Sequence, residues 1–539
     1  MYVAAERKGR LPRPRTRQEP AGCRRRRQLR FARIPQKRKG RAGTASNGEE
    51  HAVFEAPERV RFARPFKGRI ESVKLISLTL CASSFLCAAD WPQFRGINGH
   101  GTSQDKKLPV EIGVDKNVVW RTPLPPGHSS PVLVGKHIFV TAVDGEKLFT
   151  IAMDRASGRI LWRRESPRPR QETFQKTNNA ASPSPAADGQ RVYVFFGDFG
   201  LLAYGLDGEE LWRVPLGPFN NVNGHGSSPV VIDGMVILIC DQDTGSYLLA
   251  LDSATGKVRW KTDRAEVTRG YSNPGLWRPR KGPAELVVPG AYQTIGYALE
   301  TGEKLWWARG MAWQLKGVPV IDGDVAYINS WETGGDTMTP PETPTFQEML
   351  AKYDANKDGT LTPEETGQEF KNWYINNDLD FNNRIEERDW FFWRLHRSAQ
   401  NSVLAIRLGG RGDVTDSHVL WRYRKAQPNV PSPLIYNGAL FLVKDGGIAT
   451  TLDPKTGEVI KQARLPQALE RYWSSPVGAD GKVYMLSEGC KLNVLKGEGQ
   501  WEVLATSVIE NDECFATPAI ADSRIYLRTR SALYVFAKP

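Results

Sequence analysis

One proline recurs along most of this chain at a nearly constant spacing and in a similar context each time. The eight positions are Pro131, Pro185, Pro229, Pro274, Pro319, Pro433, Pro476 and Pro518. Successive positions are 42 to 54 residues apart, except for one step of 114 residues. Self-similarity at a period of this size is typical of repeat architectures, in which each unit buries its apolar face against its neighbours.

Each unit contains three or four short runs of β-branched, aliphatic and aromatic residues, which are separated by tight-turn dipeptides. In the third unit the turns are Asp233-Gly234 and Thr255-Gly256, and Trp260 follows near the end. Such dipeptides accept positive φ and join neighbouring antiparallel strands. Because four antiparallel strands make one propeller blade, we predict an all-β fold, an eight-bladed β-propeller.

A tryptophan lies near the end of most units, and the sixth unit has none. These residues are Trp162, Trp212, Trp260, Trp306, Trp421 and Trp501. A large aromatic ring contributes much apolar contact area when it is buried. We therefore expect each ring to pack between its own blade and the next one.

The eighth unit stops early, because it runs from Pro518 to Phe536 and lacks a last strand and its tryptophan. The missing pattern occurs before the first unit, at residues 117–121, which include Trp120. We predict that this N-terminal strand completes the eighth blade and closes the ring, since closure removes exposed sheet edges. An open array of sheets is the alternative.

The positive charge of the chain is concentrated near its beginning. The formal net charge is +13, but residues 1–74 hold 22 Lys or Arg against 7 Asp or Glu, and the remainder holds 51 against 53. The basic segment has few aromatic residues and no periodicity, which is typical of disorder. We predict that residues 1–72 are a disordered basic leader that the mature protein lacks, and that the propeller does not bind nucleic acid.

An apolar stretch from Leu75 to Leu86 follows, and Cys87-Ala88-Ala89 comes directly after it. Basic residues, an apolar core and small residues in this order are typical of a secretory signal peptide. The core is too short to span a bilayer. We predict a signal peptide at 73–89 with translation starting near Val73, the alternative being a long basic leader or an internal membrane anchor.

We accordingly expect an exported protein, periplasmic or otherwise extracytoplasmic. Its mature chain, residues 90–539, would form the propeller, would have no transmembrane span and would be a monomer. Three cysteines fall in this part, Cys240, Cys490 and Cys514, without the spacing of a metal cluster. At most one disulfide is possible, and buried free thiols are the default expectation.

The step of 114 residues predicts an insertion in the fifth blade, which we assign to residues 333–400. Within it, Asp354 to Glu365 matches the twelve-residue EF-hand calcium loop at every diagnostic position, with Gly359 at the sharp turn. A solvated acidic turn is the alternative. We predict a small α-helical EF-hand insertion that binds calcium, with the ligands Asp354, Asn356, Asp358, Thr360 and Glu365.

A second, weaker loop of the same kind begins 24 residues further on, at Asp378. Asn383 stands at the position of the turn glycine, which asparagine tolerates because it visits the left-handed region. Asp389 stands at the position of the final glutamate and has a shorter reach. The candidate ligands of this loop are Asp378, Asp380, Asn382, Arg384 and Asp389.

The segment Ala250 to Trp260 reads Ala-x-Asp-x-x-Thr-Gly-Lys-x-x-Trp, and Ala152 to Trp162 matches it with Ser157 in place of threonine. This pattern resembles the tryptophan-docking repeats of quinoprotein propellers, over roughly residues 90–539 apart from the insertion. The resemblance implies eight blades. The quinoprotein-like family includes dehydrogenases that hold pyrroloquinoline quinone (PQQ) and calcium at the axis. It also includes non-catalytic propellers such as the periplasmic lipoprotein of the outer-membrane β-barrel assembly machinery.

Fold alone does not choose between these two branches. The sequence lacks the adjacent cysteine pair that is frequent in the dehydrogenases, and no short motif marks their catalytic Asp or the Glu and Asn that hold calcium. We therefore expect a binding or scaffold protein of the cell envelope, with an envelope protein or a polysaccharide as its partner. A PQQ-dependent alcohol or sugar dehydrogenase and a carbohydrate-binding surface protein are the alternatives.

Polar and aromatic residues occupy the loops that lead into the innermost strand of each blade. Such groups, when they converge in a concavity, are typical of a binding site. For the two histidines among them, the alternative is a structural hydrogen bond to a neighbouring loop. We predict an axial ligand funnel that is lined by His128, Asn179, His225, Tyr271, Lys316, Asn429 and Trp473.

Overall fold

The computed structural model describes residues 90–332, 341–367 and 377–539, which lie in one compact unit, Ser83–Pro539. The predicted leader at 1–72 and the predicted signal peptide at 73–89 lie outside the described residues. Among the residues that are described, no helix is long and apolar enough to cross a membrane.

Eight antiparallel sheets, each built around four strands, make up the described chain. Strand β1 (Val118–Pro123) precedes the first complete blade. Blade one consists of β2 (Val132–Val134), β3 (His137–Asp144), β4 (Lys147–Asp154) and β5 (Ile160–Ser166). Blade two consists of β6 (Ala186–Ala187), β7 (Arg191–Phe196), β8 (Gly200–Gly205) and β9 (Glu210–Pro215). Blade three consists of β10 (Val230–Ile232), β11 (Met235–Cys240), β12 (Tyr247–Asp252) and β13 (Val258–Asp263).

The next three blades have the same order of strands. Blade four consists of β14 (Gly275–Trp277), β15 (Glu285–Gly290), β16 (Gln293–Ala298) and β17 (Lys304–Arg309). Blade five consists of β18 (Val320–Asp322), β19 (Val325–Ser330), β20 (Ser402–Arg407) and β22 (Val419–Tyr423), and the short β21 (Gly412–Asp413) pairs in parallel with β17. Blade six consists of β23 (Leu434–Tyr436), β24 (Ala439–Lys444), β25 (Ile448–Leu452) and β26 (Val459–Arg464).

The last two blades complete the ring. Blade seven consists of β27 (Val477–Ala479), β28 (Lys482–Leu486), β29 (Lys491–Lys496) and β30 (Val503–Val508). Blade eight consists of β31 (Ala519–Ala521), β32 (Arg524–Arg528), β33 (Ala532–Ala537) and β1. Strand β1 pairs antiparallel with β33, from Val118 opposite Phe536 to Pro123 opposite Ala532. The predicted eight-bladed propeller and its closure by the N-terminal strand are both confirmed.

The extra residues of blade five lie between β19 and β20 and contain the helices α1 (Phe346–Tyr353), α2 (Pro363–Thr366) and α3 (Glu387–Ser398). A fourth helix, α4 (Thr415–His418), lies between β21 and β22, and a short 3₁₀ helix spans Ile97–Gly99. The helix α1 starts with a capping box, in which Thr345 and Glu348 satisfy each other's backbone N–H groups. That this insertion is a calcium-binding EF-hand stays a prediction.

The tryptophan of one blade lies on the glycine of the next blade's third turn. Trp162, Trp212, Trp260 and Trp421 each donate their indole N–H to a carbonyl of that turn, at 2.9 to 3.0 Å. The rings cover glycines at positive φ, where a Cβ atom would collide with the indole. Glycine is therefore required at this position for two reasons: the backbone has positive φ, and the covering ring leaves no space for a Cβ atom.

Two tryptophans depart from this arrangement. Trp306 packs between blades four and five but donates to Glu285 of its own blade, at 2.8 Å. Trp501 of blade seven lies in the apolar cluster that it shares with blade six, so the expectation that it packs on the next blade is wrong. Trp501 precedes β30, and Ala505 stands opposite Val494 at the register point where Trp260 stands opposite Ala250 in blade three.

Two of the three cysteines, Cys490 and Cys514, form a disulfide, and Cys240 is a buried free thiol. The expectation that the cysteines are buried free thiols is therefore confirmed for Cys240 alone. The disulfide joins the start of β29 to the loop that leads into blade eight.

The docking of tryptophan on glycine can be tested with two glycine substitutions. Gly256 has φ +69° and a Cβ there would lie 2.8 Å from the Trp212 ring, whereas Gly189 has φ +88° and open space around it. We expect Gly189→Ala to lower the free energy of unfolding by about 1 kcal/mol, through backbone strain alone. Gly256→Ala should lower it by about 2 to 4 kcal/mol, because the clash adds to the strain.

Urea denaturation of both variants measures the difference. Equal losses of stability would show that the Trp212 ring moves aside at no cost and does not lock the seam between blades two and three.

Candidate functional site

A nearly continuous ring of hydrogen bonds surrounds the propeller axis. It is built from the residue that precedes each repeated proline, a position that the proline restricts to extended conformations. The backbone N–H of each such residue donates to the side-chain oxygen of the equivalent residue in the next blade, at 2.8 to 3.0 Å. The seven links run from Ser130 to Ser184, Ser184 to Ser228, Ser228 to Asn273, Val318 to Ser432, Ser432 to Ser475, Ser475 to Thr517, and Thr517 to Ser130.

The ring is interrupted at one place, because Val318 has no side-chain oxygen to accept from Asn273. All of its members are buried. Sequence reasoning used the prolines to follow the register but missed the residues before them. The signal was present, since six of the eight are serine or threonine.

A cavity of about 460 Å³ lies on this ring and opens between the loops that precede it. All eight pre-proline residues line the cavity. Its aromatic wall consists of Phe94, Tyr271, Trp331, Trp473 and Phe515. The cavity therefore combines a hydrogen-bonded floor with aromatic and amide side chains above it.

The chain from Trp91 to Ser103 lies across the centre of the ring, and Phe94 within it lines the cavity. This axial segment forms hydrogen bonds with five blades. Its partners are Leu133 in blade one, Ala187 in blade two, Leu276 in blade four, Pro433 in blade six and Gly478 in blade seven. No repeat pattern marks the segment, so its role at the axis could not be predicted from the sequence.

Five of the seven predicted funnel residues line the cavity, namely His128, Tyr271, Lys316, Asn429 and Trp473. The other two do not. Asn179 accepts a hydrogen bond from the backbone of Ala181 within its own loop, and the preceding Asn178 lines the cavity instead. His225 is 1% exposed, and its ring packs edge-on against Phe219 at 4.1 Å.

Lys316 is the one lysine or arginine among the described lining residues. Its ammonium group is half-buried and donates to Asn429 Oδ1 at 3.1 Å. Burial lowers the pKa of Lys316 to about 8, so the side chain is mostly charged at neutral pH. Burial also lowers the pKa of His128 to about 3, and its neutral ring stacks on Phe515 at 4.0 Å.

The insertion begins at the rim of the cavity. Trp331 lines the cavity, and the next residue, Glu332, accepts a hydrogen bond from the backbone N–H of Trp313 at 3.1 Å. Burial raises the pKa of Glu332 to about 7. His396 of α3 lies 3.5 Å from the other oxygen of this carboxyl group and contacts the Trp313 ring at 4.9 Å.

The insertion also packs on blades three and four. Arg388 donates to the backbone carbonyl of Asp243 at 2.8 Å, and Asn220 donates to the carbonyl of Leu379 at 2.7 Å. Leu379 and Phe392 belong to the same apolar cluster as the core residues of these blades. The helices are therefore fixed against the propeller through polar and apolar contacts.

The two predicted calcium loops have the same backbone conformation. In the first loop, Asp354 accepts from the N–H groups of Asp358 and Gly359 at 3.2 and 3.0 Å. In the second, Asp378 accepts from those of Asn382 and Asn383, at 3.2 and 2.7 Å. The turn positions have φ +81° at Gly359 and +64° at Asn383. Asparagine thus takes the left-handed conformation at the position where the first loop has glycine.

The central residues of the two loops pair with each other. Leu361 and Ile385 exchange two backbone hydrogen bonds, at 3.0 and 2.8 Å, and both side chains are buried. This pair links the loops side by side.

The last residues of the loops differ in reach. Glu365 lies within 3.4 Å of the backbone N–H of Asn356, whereas the shorter Asp389 accepts from Leu379 and Glu386, at 3.2 and 3.1 Å. Arg384 donates to Asp358 and Thr360 of the first loop, at 2.9 Å each. Across the described residues, no group of three or more His, Cys, Asp or Glu side chains is arranged to hold a metal ion.

Comparisons with known proteins agree with this architecture. Residues 105–277, 202–336 and 394–537 match the model of a protein family that is described as outer membrane protein assembly factor BamB. Because these ranges span more than half of the chain, the protein belongs to this family. No curated protein sequence matches it significantly.

Solved structures show the same fold at low sequence identity. BamB from Moraxella catarrhalis is 11% identical, with a TM-score of 0.50 over 78% of this chain and 97% of that one. A europium-containing methanol dehydrogenase is 10% identical, with a TM-score of 0.51 over 84% and 98% of the two chains. The likeness to BamB and to a dehydrogenase at similar scores shows the fold and does not choose between their functions.

The importance of the hydrogen-bonded ring can be tested by removing one acceptor. Ser184→Ala leaves the buried N–H of Ser130 without a partner, and an unsatisfied buried donor costs about 1 to 3 kcal/mol. We expect a loss of this size in urea denaturation. Ser417→Ala, in the exposed α4, serves as the matched control and should change stability by less than about 0.5 kcal/mol. Equal effects of the two substitutions would contradict a structural role for the ring.

Proposed function

We propose that this protein is an exported binding protein of the cell envelope, which holds its ligand in the axial cavity and binds calcium in the insertion of blade five. The cavity itself is the observation that carries the proposal. It is of ligand size, its floor is fixed by hydrogen bonds, and its walls combine aromatic rings with a few polar groups. Cavities of this composition are typical of small-molecule sites.

Export is supported by two independent features of the chain. The pattern at 73–89 is that of a signal peptide. The disulfide between Cys490 and Cys514 is typical of proteins that fold in an oxidising compartment. The family description, an outer-membrane assembly factor, agrees with a role in the envelope, in the periplasm or another extracytoplasmic space.

The residues that line the cavity do not fit a calcium–quinone centre. Such a centre, as the resemblance implies it, needs a carboxylate for the metal and an aspartate as the general base. Among the described lining residues there is no Asp and no Glu. The Cys490–Cys514 pair is also separated by 24 residues, so it is not the adjacent pair of the dehydrogenases. We therefore favour binding over PQQ-dependent oxidation.

Calcium binding is supported by the shared conformation of the two loops. Oxygen-rich loops of this type bind calcium through side chains and one backbone carbonyl. In the first loop the carboxylates of Asp354 and Asp358 and the amide of Asn356 already face the loop's own N–H groups, and Glu365 reaches back towards them. The second loop has the shorter Asp389 at its end, so we expect it to bind more weakly.

Calcium titration of the purified protein, after treatment with EDTA, tests this site. We expect Glu365→Gln to weaken binding at the first loop at least tenfold, because it removes the charge of the ligand with the longest reach. The adjacent exposed Glu364→Gln removes the same charge at a loop position that is not among the predicted ligands, and it should leave the affinity nearly unchanged. Calcium at 100 times its dissociation constant should stabilise the wild type by about 2.7 kcal/mol.

Isothermal titration calorimetry reports the affinity, and thermal denaturation reports the stabilisation. Failure of the wild type to bind calcium, or equal affinities in the two variants, would refute the calcium site without affecting the axial cavity.

The binding function is tested by identifying what the cavity retains. Wild-type protein is purified from its native envelope fraction, denatured, and the released small molecules are measured by mass spectrometry. Asn429→Trp places a large side chain in the cavity, and Gln190→Trp places one on an exposed turn. We expect a compound that the wild type and Gln190→Trp release and that Asn429→Trp does not.

Each outcome separates the candidate functions. A released quinone would favour the dehydrogenase, and a released oligosaccharide would favour the carbohydrate-binding protein. Release of the same compounds by all three proteins would argue against a ligand in the axial cavity.

A further inference from the structure

We propose that the ligand of the axial cavity is a small organic carboxylate, whose charge is bound by Lys316 and whose apolar body packs against Trp331 and Trp473. This inference rests on the proposed function, in which the axial cavity is the ligand site. It names the chemical class of the ligand, which neither the fold nor the family specifies.

Lys316 supplies the first argument. The ammonium group has three N–H donors, and Asn429 Oδ1 accepts from it at 3.1 Å. No ion pair joins Lys316 to a carboxylate among the described residues. A charged group that is partly removed from water without a counter-charge is unfavourable. A ligand carboxylate in the cavity would supply the counter-charge, and Asn429 Nδ2 would be available as a neutral second donor.

Two buried arginines beside the cavity supply the second argument. Arg95 follows Phe94, is fully buried, and donates to the carbonyls of His100 and Pro433. Arg528 is 1% exposed and donates to Ser129, next to a residue of the ring. In the described part of the chain, Arg95 has two guanidinium nitrogens without a partner and Arg528 has one, and neither arginine forms an ion pair there.

No nearby acid neutralises the positive charges of Arg95 and Arg528 in the described part of the chain. Burial lowers the pKa of both arginines to about 9, which keeps them protonated at neutral pH. The nearest acid that acts on Lys316 is Glu332, which is held by Trp313 and has a raised pKa. The cavity therefore lies in a positive potential, which attracts anions and disfavours cations.

The shape and composition of the cavity restrict the chemical class of the anion further. A phosphate group is usually bound by several N–H donors or by an arginine fork, whereas this cavity offers one ammonium group. Trp473 lies 6.0 Å from Phe515, which stacks on His128, so three rings form a continuous apolar surface. A volume of about 460 Å³ admits a small molecule with a flat or apolar body.

The test uses matched pairs of a carboxylate and its neutral amide. The chosen probes are 2-naphthoate with 2-naphthamide, and indole-3-acetate with indole-3-acetamide. Binding to the purified protein is measured by calorimetry at low salt. We expect each acid to bind at least tenfold more tightly than its amide. Lys316→Met should remove this preference, and Lys136→Met, at an exposed position of blade one, should keep it.

The outcomes distinguish the ligand class from the proposed function. If the amides bind as tightly as the acids, the inference fails while binding in the axial cavity stands. If neither member of either pair binds to natively folded protein, both fail. If Lys316→Met does not fold, Lys316→Gln and the salt dependence of binding by the wild type take its place. Because salt screens a partly buried pair only in part, 1 M salt should weaken the acid preference without abolishing it, and an acid preference that does not change with salt would overturn the inference.

Discussion

The ring of hydrogen bonds around the axis is the interaction on which the rest of this propeller depends. Each link joins the innermost strands of two neighbouring blades, and the proline that follows fixes the backbone of the donor. The links lie in a buried region, where an unmade hydrogen bond is costly. The outer seams are fixed independently by tryptophans that lie on glycines of the next blade. The blades are thus held together at two radii, with the axial cavity resting on the inner ring.

The sequence was sufficient for the architecture because the features that set it are local and repeated. Prolines marked the register, turn dipeptides marked the hairpins, and the incomplete eighth unit predicted the closing strand. It was insufficient where a residue's role depends on another part of the chain. Trp501 follows Gly499 much as Trp212 follows Gly208, yet Trp212 lies within its strand and Trp501 lies before its strand. His225 has the same Gly-His context as His128, yet it packs against Phe219, while His128 faces the cavity.

The insertion is notable for where it joins the propeller. It begins directly after Trp331, which lines the cavity, and it returns through His396, which contacts Trp313 and Glu332. The same helix packs against blades three and four. A metal site in the insertion would therefore be connected to the wall of the cavity by a short chain of packed side chains. This contact shows where the insertion meets the propeller. No periodic signal in the sequence specifies that the insertion should lie in this blade and between these two strands.

The axial segment and the closing strand together have a kinetic consequence. Strand β1 pairs with β33 at the other end of the chain, and residues 91–103 bind five blades at once. Neither contact can form until the intervening blades exist, and contacts between distant parts of a chain form slowly. Because a chain is synthesised from its N-terminus, β1 is made long before β33, the strand with which it pairs. Closure of the ring therefore needs a segment that is synthesised before most of the blades it contacts.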